Sequence, residues 1–94
     1  MVNKDKFSKE SRVLKALCHK TRMAIVTELL GEESCVRDIE GRLNARQSNI
    51  SQHLTVLRQA GIVGFRAEGK NRCYYLKDPE TMDSICQALK QVKI

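Results

Sequence analysis

A chain of 94 residues is long enough for one small domain and leaves little room for an enclosed catalytic pocket. Its formal net charge of +6 favours an anionic partner. No apolar run approaches the roughly 20 residues that cross a bilayer, and the polar segment 1–7 is unlike a signal peptide, so we expect a cytoplasmic protein.

The apolar periodicity predicts three helices in the first half of the chain. A frayed basic arm over residues 1–8 is expected to lead into the first helix, whose apolar face carries Val13, Leu14, Leu17 and Cys18. A second helix is expected from Thr21, as its N-cap, to Gly31. A third is expected after Ser34, which would cap it and place Cys35 in the first turn.

The stretch Gln47–Ala60 has the pattern of a helix with two different faces. Ile50, Leu54 and Leu57 form a narrow apolar stripe, and the opposite face is polar with almost no charge. Amides and hydroxyls in such a position can pair with base edges in the major groove. Together with the helix Val36–Leu43, the stretch is typical of a helix-turn-helix unit. Base readout is expected from Gln47, Ser48, Ser51, Gln52 and Thr55.

After Gly61 the pattern changes to short alternating runs, which predicts two strands joined by the turn Glu68–Asn71. The basic side chains of this hairpin suit the phosphate backbone, and so does the one in the turn before the recognition helix. These are Arg46, Arg66, Lys70 and Arg72. A solvated hairpin without a partner is the alternative.

A last helix is expected to begin at Asp78, as its N-cap, with Pro79 in the first helical position. Its apolar face carries Met82, Ile85, Cys86, Leu89 and Val92. The apolar faces of the first and last helices exceed what one small core can bury, which favours a homodimer.

Several short motifs follow one another in the chain: His19, Thr21 and Arg22, the run QSNISQHL from Gln47, Leu57–Gly61, Glu68 and Gly69, Tyr74–Leu76, and Asp78 with Pro79. In this order and spacing, the segment from about Leu14 to about Ala88 resembles the ArsR/SmtB family of small repressors. The resemblance implies an α+β, mostly α, winged helix-turn-helix fold with five helices and a two-stranded wing, in one domain over residues 1–94. It also implies a homodimer through the first and last helices. Two recognition helices about 34 Å apart would read an inverted repeat in double-stranded DNA.

The resemblance also implies release from DNA by a metalloid, a metal ion or a thiol-reactive signal. The arsenic or cadmium motif of the family, E-L-C-V-C-D, corresponds to Glu33–Asp38 here, where Cys35 remains and Arg37 replaces the second cysteine. A soft three-coordinate site for As(III) therefore needs sulfur from elsewhere. The zinc site of the family is absent because the last helix has no histidine. In the sulfide-sensing branch a second-helix cysteine pairs with a last-helix one, and Thr27 stands at the first of these positions.

Cysteine is nevertheless the natural sensor in this chain, and its four cysteines contain no C-x-x-C pair and are not expected to form a disulfide framework. Cys35 is the leading candidate because a helix N-terminus and the adjacent Arg37 stabilise a thiolate, although nearby carboxylates oppose this. Cys18 and Cys86 are weaker candidates, with core packing as the alternative, and Cys73 is expected to pack. His53 is expected to be structural or to face DNA.

Two functions of different class follow from these features. The first is a dimeric, operator-binding repressor whose inducer, As(III) or another soft ion, persulfide or an oxidant, acts at cysteine. The second is a winged-helix module that binds a partner protein and has no small inducer. An enzyme is not expected, because no nucleophile with a base, no carboxylate pair and no phosphate loop stands out.

Overall fold

The computed structural model describes residues 4–44 and 46–93, except for the side chains of Lys4, Asp5, Gln47 and Ser48. Within these ranges the chain forms five α-helices: α1 (Ser8–Leu17), α2 (Lys20–Gly31), α3 (Val36–Leu43), α4 (Gln47–Gln59) and α5 (Pro79–Lys90). Three strands, β1 (Ser34–Cys35), β2 (Val63–Glu68) and β3 (Asn71–Leu76), form an antiparallel sheet in the order β1-β3-β2. No described helix is both long and apolar enough to cross a membrane.

The N-terminal segment differs from the frayed arm that the sequence predicts for residues 1–8. A 3₁₀ helix covers Lys4–Phe7, and α1 follows it directly at Ser8. Residues 1–3 lie outside the described part of the chain. The described part of the arm is therefore helical.

The apolar stripe of α4 lies at the centre of the core, as predicted. Ile50, Leu54 and Leu57 are 0% exposed. They belong to one cluster with buried side chains of the other elements, which include Ile25, Val26 and Leu29 of α2, Ile39 of α3, Val63 of β2 and Tyr74 and Leu76 of β3. Burial of each such aliphatic side chain contributes about 1.5–3 kcal/mol, so this stripe anchors α4 and turns its polar face outward.

Two helices begin at a different residue than the sequence predicts. His19, not Thr21, is the N-cap of α2, and its Nδ1 accepts the backbone N–H of Thr21 at 3.0 Å. Cys35, not Ser34, is the N-cap of α3. Ser34 is held in β1, where its hydroxyl accepts a hydrogen bond from Arg42 at 2.7 Å.

The end of α3 and the start of α5 follow the predicted signals, whereas Gly31, predicted to cap the end of the second helix, is the last residue of α2 and Glu32 is its C-cap. Asn44 ends α3 in the left-handed conformation with a φ of 49°, which asparagine tolerates better than most residues. Ala45, in the turn to α4, lies outside the described residues. Asp78 caps α5 by accepting the backbone N–H of Thr81 at 3.1 Å, and Pro79 is the first residue of that helix.

The sheet contains one strand more than the two-stranded wing that the sequence predicts. The wing itself, β2 and β3, is paired from Val63 with Leu76 to Glu68 with Asn71. The additional strand β1 pairs with β3 so that Cys35 stands opposite Cys73. A strand of two residues has no alternation that a periodicity could reveal, and only its partner defines it.

Apolar side chains of α1, of α5 and of the residues that follow α5 are uncovered. Leu14 is 61% exposed and Leu89 is 51% exposed. Val92, predicted on the last helix, lies beyond its end at Lys90 and is 59% exposed. Cys18, predicted on the apolar face of the first helix, is exposed, because α1 ends at Leu17 and Cys18 is its C-cap. Cys86 packs partly against the core.

Replacing a side chain of the buried stripe tests its position. We expect Leu54→Ala to lower the free energy of unfolding by about 2–5 kcal/mol, because it leaves a cavity in the core. Gln52→Ala on the exposed side of the same helix should change it by no more than about 0.5 kcal/mol. Urea denaturation followed by circular dichroism measures both values. Equal midpoints for the two variants would contradict this packing.

Candidate nucleic-acid interface

A groove of about 380 Å³ lies between the helix-turn-helix unit and the wing. Ser51 and Thr55 of α4 form one wall, and Lys70 and Arg72 of the wing form the other. These four residues are predicted DNA contacts that lie far apart in the sequence, and the fold brings them together. Arg37 and Glu40 of α3 also line it, so that the groove has three cationic side chains and one carboxylate.

Arg37 is a groove residue that the sequence analysis did not assign to DNA. It stands at the position of the second cysteine in the family's metal-binding motif. In the sequence it therefore drew notice only as a missing metal ligand. A basic residue in the first turn of a helix that supports the recognition helix is the signal that indicates a phosphate contact.

The outward face of α4 carries the predicted base-reading side chains. Gln52 and Thr55 are exposed, and Ser51 is half-buried. The Thr55 hydroxyl donates to the Ser51 carbonyl at 2.9 Å, so its oxygen lone pairs stay available to accept a hydrogen bond. Gln47 and Ser48 begin this helix, and their side chains lie outside the described residues. Arg46, the N-cap of α4, is exposed beside them.

The wing cations differ in their surroundings. Lys70 is exposed in the turn between β2 and β3. The guanidinium carbon of Arg72 lies 4.6 Å from the centre of the Phe65 ring, a cation–π contact that orients the side chain towards the groove. Both charges are therefore presented on the side of the wing that faces α4.

Arg66 is engaged within the protein itself. Its guanidinium donates to the carboxylate of Glu33, and a second carboxylate, that of Glu68, lies 3.7 Å away. Arg66 is therefore not equivalent to Lys70 and Arg72, with which it was grouped as a predicted phosphate contact. Its competitor Glu33 is 33 positions away, so no local sequence pattern reveals the pair.

Cys35 and Cys73 are joined by a disulfide between β1 and β3. Cys73 is buried, whereas Cys35 is half-buried. No disulfide framework was expected and packing was the expectation for Cys73, whereas the structure bonds Cys73 to Cys35, because the sequence pattern did not reveal β1. The thiols of Cys18 and Cys86 are free in the chain.

The surroundings of this cysteine pair include a carboxylate. A carboxylate oxygen of Glu68 and the two sulfur atoms all lie within 4.8 Å of one another. Two sulfurs that are bonded to each other lack the thiolate charge that a soft metal ion requires. The donor set therefore does not fit such an ion while the disulfide is closed.

A cluster of His19, Arg22 and His53 joins α4 to the start of α2. The two imidazole rings lie 4.3 Å apart, and Arg22 reaches His53 Nδ1 at 3.3 Å. Because arginine can only donate, the accepting Nδ1 belongs to a neutral imidazole. Burial, followed by the charges of His19 and Arg22, lowers the pKa of His53. His53 therefore supports the helix packing, in agreement with the structural role among its predicted alternatives.

The lowered pKa of His53 predicts a pH-dependent stability. The unfolded chain binds the His53 proton more readily than the folded chain does. The contribution of neutral His53 to the free energy of unfolding is therefore fully present above the ordinary histidine pKa of 6.5 and decreases as the pH falls below that value. We expect His53→Gln, which keeps an acceptor for Arg22, to remove this component of the acid sensitivity. Urea denaturation between about pH 7.5 and 5.5 measures it, with Gln52→Ala as the control that keeps the wild-type dependence. An unchanged slope in His53→Gln would exclude this origin.

Known proteins share this architecture. Residues 19–64 match the model of bacterial regulatory proteins of the arsR family. The chain is 41% identical over 66 residues to the biofilm growth-associated repressor of Agrobacterium fabrum, a match that covers 70% of this chain and 56% of that protein. It thus spans little more than half the length of that relative.

Two solved structures have the same fold over nearly the whole chain. HlyU from Vibrio cholerae is 31% identical with a TM-score of 0.81, covering 93% of this chain and 97% of that one. A homodimeric winged helix-turn-helix DNA-binding domain from Mycobacterium bovis is 25% identical with a TM-score of 0.82, covering 92% and 82%. Proteins of this kind are transcriptional regulators and not enzymes.

Proposed function

Because this chain belongs to the arsR family of bacterial transcriptional regulators, we propose that it is a dimeric repressor that binds one operator sequence and leaves it when an inducer acts on cysteine. The observation that carries this proposal is the groove in which Ser51 and Thr55 of α4 face Lys70 and Arg72 of the wing. It combines groups suited to base edges with groups suited to phosphates. A module for protein partners, the alternative function, has no need of this combination.

The two walls of the groove have different tasks in this proposal. The outward side chains of α4 read the bases: Gln47, Ser48, Ser51, Gln52 and Thr55. The cations bind the phosphates and give affinity that does not depend on sequence. Arg46, Lys70 and Arg72 have this task, Arg37 joins them from α3, and Arg66 does so when Glu33 releases it.

Two single substitutions separate these tasks. Gln52→Ala should reduce the preference for a selected operator over a scrambled duplex by about 1–3 kcal/mol for each copy in the dimer, because a base contact is lost in each half-site. Lys70→Ala should weaken binding to both duplexes about equally and reduce the slope of log affinity against log salt by about 1.8, which is about 0.9 for each copy. Fluorescence anisotropy with an operator selected from random DNA measures both effects.

One result would contradict the division of tasks between α4 and the wing, and another would contradict DNA binding as the function. If the variants were indistinguishable on matched and scrambled duplexes, the assignment of readout to α4 and affinity to the wing would be wrong. Salt-insensitive binding of the wild type would favour the protein-interaction module, because phosphate contacts always release counterions.

The uncovered apolar side chains of α1, of α5 and of the residues directly after α5 support dimerisation through these helices. Leu14, Leu89 and Val92 are more than half exposed in the single chain. A symmetric pairing would cover the same patch on both copies and so increase the buried apolar area of a small protein. It would also hold two recognition helices at the spacing of successive major grooves, about 34 Å.

A charge placed in this patch tests the dimer. We expect Leu89→Glu to make the protein monomeric at about 10 μM and to weaken operator binding at least about tenfold, because a carboxylate cannot be buried there unpaired. Gln87→Glu introduces the same charge two positions away, on the other side of α5, and should stay dimeric. Sedimentation velocity distinguishes the two. A dimer of unchanged affinity in Leu89→Glu would exclude this interface.

The proposed point of action of the inducer is Cys35. This residue is half-buried and caps α3, the first helix of the helix-turn-helix unit. As(III) or another soft ion is a second candidate, supported by the closeness of Cys35, Cys73 and Glu68, and it requires the reduced cysteines. Cys18 and Cys86 are secondary sensor candidates, one at the end of α1 and one on α5.

A further inference from the structure

The disulfide connects the helix-turn-helix unit to the wing, the two parts of the molecule that are proposed to bind DNA. Cys35 lies in β1, immediately before α3 of the helix-turn-helix unit, and Cys73 lies in β3 of the wing. Their neighbours Arg37 and Arg72 both line the groove between these parts. A bond between the two sulfur atoms therefore links the wing covalently to the segment that begins α3, the first helix of the helix-turn-helix unit.

The same face of the sheet carries the charges around Arg66. Cys35 pairs with Cys73, and Cys73 pairs with Arg66, so these three residues form one row across the sheet. Glu68 is two positions from Arg66 on β2, and side chains two positions apart on a strand share a face. Glu33 lies immediately before β1, two positions from Cys35. Both carboxylates contact the Arg66 guanidinium. Docking of β1 on β3 is thus what brings Glu33 to Arg66.

We propose that Cys35 and Cys73 form a reversible dithiol–disulfide switch, responsive to hydroperoxides, that withdraws Arg66 from DNA when it closes. The inference deepens the proposed function and rests on it, since it specifies the inducer class and the way in which the signal reaches the wing. It differs from the pairing of a second-helix with a last-helix cysteine considered in the sequence analysis.

The chemistry uses the difference in exposure between the two cysteines. Cys35, the more accessible of the two, loses its proton, and the thiolate attacks an oxygen of hydrogen peroxide and becomes a sulfenic acid as the O–O bond breaks and hydroxide leaves. The hydroxide takes up the proton that the thiol released and becomes the first water. The Cys73 thiol then attacks this sulfur, the S–S bond forms, and a second water leaves. Two thiols lose two electrons and two protons, and one peroxide is reduced to two waters. A dithiol reductant reopens the bond by exchange through a mixed disulfide.

The effect on DNA follows from the weakness of exposed ion pairs. The Arg66 and Glu33 side chains are 56% and 45% exposed, and such a pair alone contributes little, so a DNA phosphate can displace the carboxylate. The closed disulfide keeps β1 on β3 and Glu33 beside Arg66, which favours the internal pair. In the dithiol state two residue pairs with β3 and the hydrogen bond from Arg42 to Ser34 hold β1 without a covalent link, and Arg66 becomes more available to phosphate.

The test compares the two redox states of the full chain on a mixed-sequence duplex of about 30 base pairs, which reports phosphate contacts alone. Closure is verified by a mass loss of about 2 Da and by a linked Cys35–Cys73 peptide, as expected for one disulfide. The oxidised protein should bind up to about sixtyfold more weakly at 0.1 M salt, with a salt slope smaller by about 1.8, the effect of one lost phosphate contact in each copy of the dimer.

Three variants make the test specific. Cys35→Ser should bind like the reduced protein and should not respond to peroxide. The double variant Cys18→Ser, Cys86→Ser is the matched control and should keep the full response. Glu33→Gln keeps both cysteines and should still form the disulfide, yet lose most of the change in affinity and salt slope, which a purely structural role of the bond would leave intact.

The outcomes separate the inference from the function on which it rests. Equal affinity and slope in the two redox states, an undiminished response in Glu33→Gln, or a response lost in the Cys18/Cys86 variant would overturn the switch while leaving DNA binding in place. If the reduced protein did not bind the duplex even at about 0.05 M salt, where phosphate contacts are strong, the proposed function itself would be wrong.

Discussion

Complete burial of Ile50, Leu54 and Leu57 fixes the rotation of α4 about its own axis. Side chains follow one another at about 100° around a helix, so once these three residues face the core, Gln52 and Thr55 must face outward. The cluster of His19, Arg22 and His53 supports the same helix from the start of α2. The proposed reading surface is thus a geometric consequence of the core.

The wing shows how tertiary contacts make similar charges unequal. Arg72 stacks on Phe65 and lines the groove, whereas Arg66 is paired with two carboxylates, one of which belongs to the segment before β1. The net positive charge of the chain therefore overstates the charge available to an anionic partner at any one time. The pairing of β1 with β3 causes this difference. It places Cys35 next to Cys73 and brings Glu33, the residue before β1, to the wing.

Much of the fold could be predicted from local patterns, and so could the residue types that suit a DNA contact, but not their arrangement. The stripe of α4, the hairpin of the wing, and the Asp78 cap with Pro79 each depend on residues within a few positions of one another, and the structure confirms them. The groove required the fold, because Ser51 and Lys70 are not neighbours in sequence. The N-cap of α2 was misassigned because a histidine ring nitrogen replaced the threonine hydroxyl as acceptor.

The sequence by itself determined the helix-turn-helix, the wing and the two faces of the recognition helix, since periodicity and capping act over one or two turns of the chain. Only the tertiary structure decided which cysteines meet and which arginine is neutralised. Cys35 and Cys73 are 38 positions apart, and Glu33 and Arg66 are 33 apart. Contacts over such separations depend on strand pairing that is specified by the whole core, and a two-residue strand leaves no periodic pattern by which to predict it.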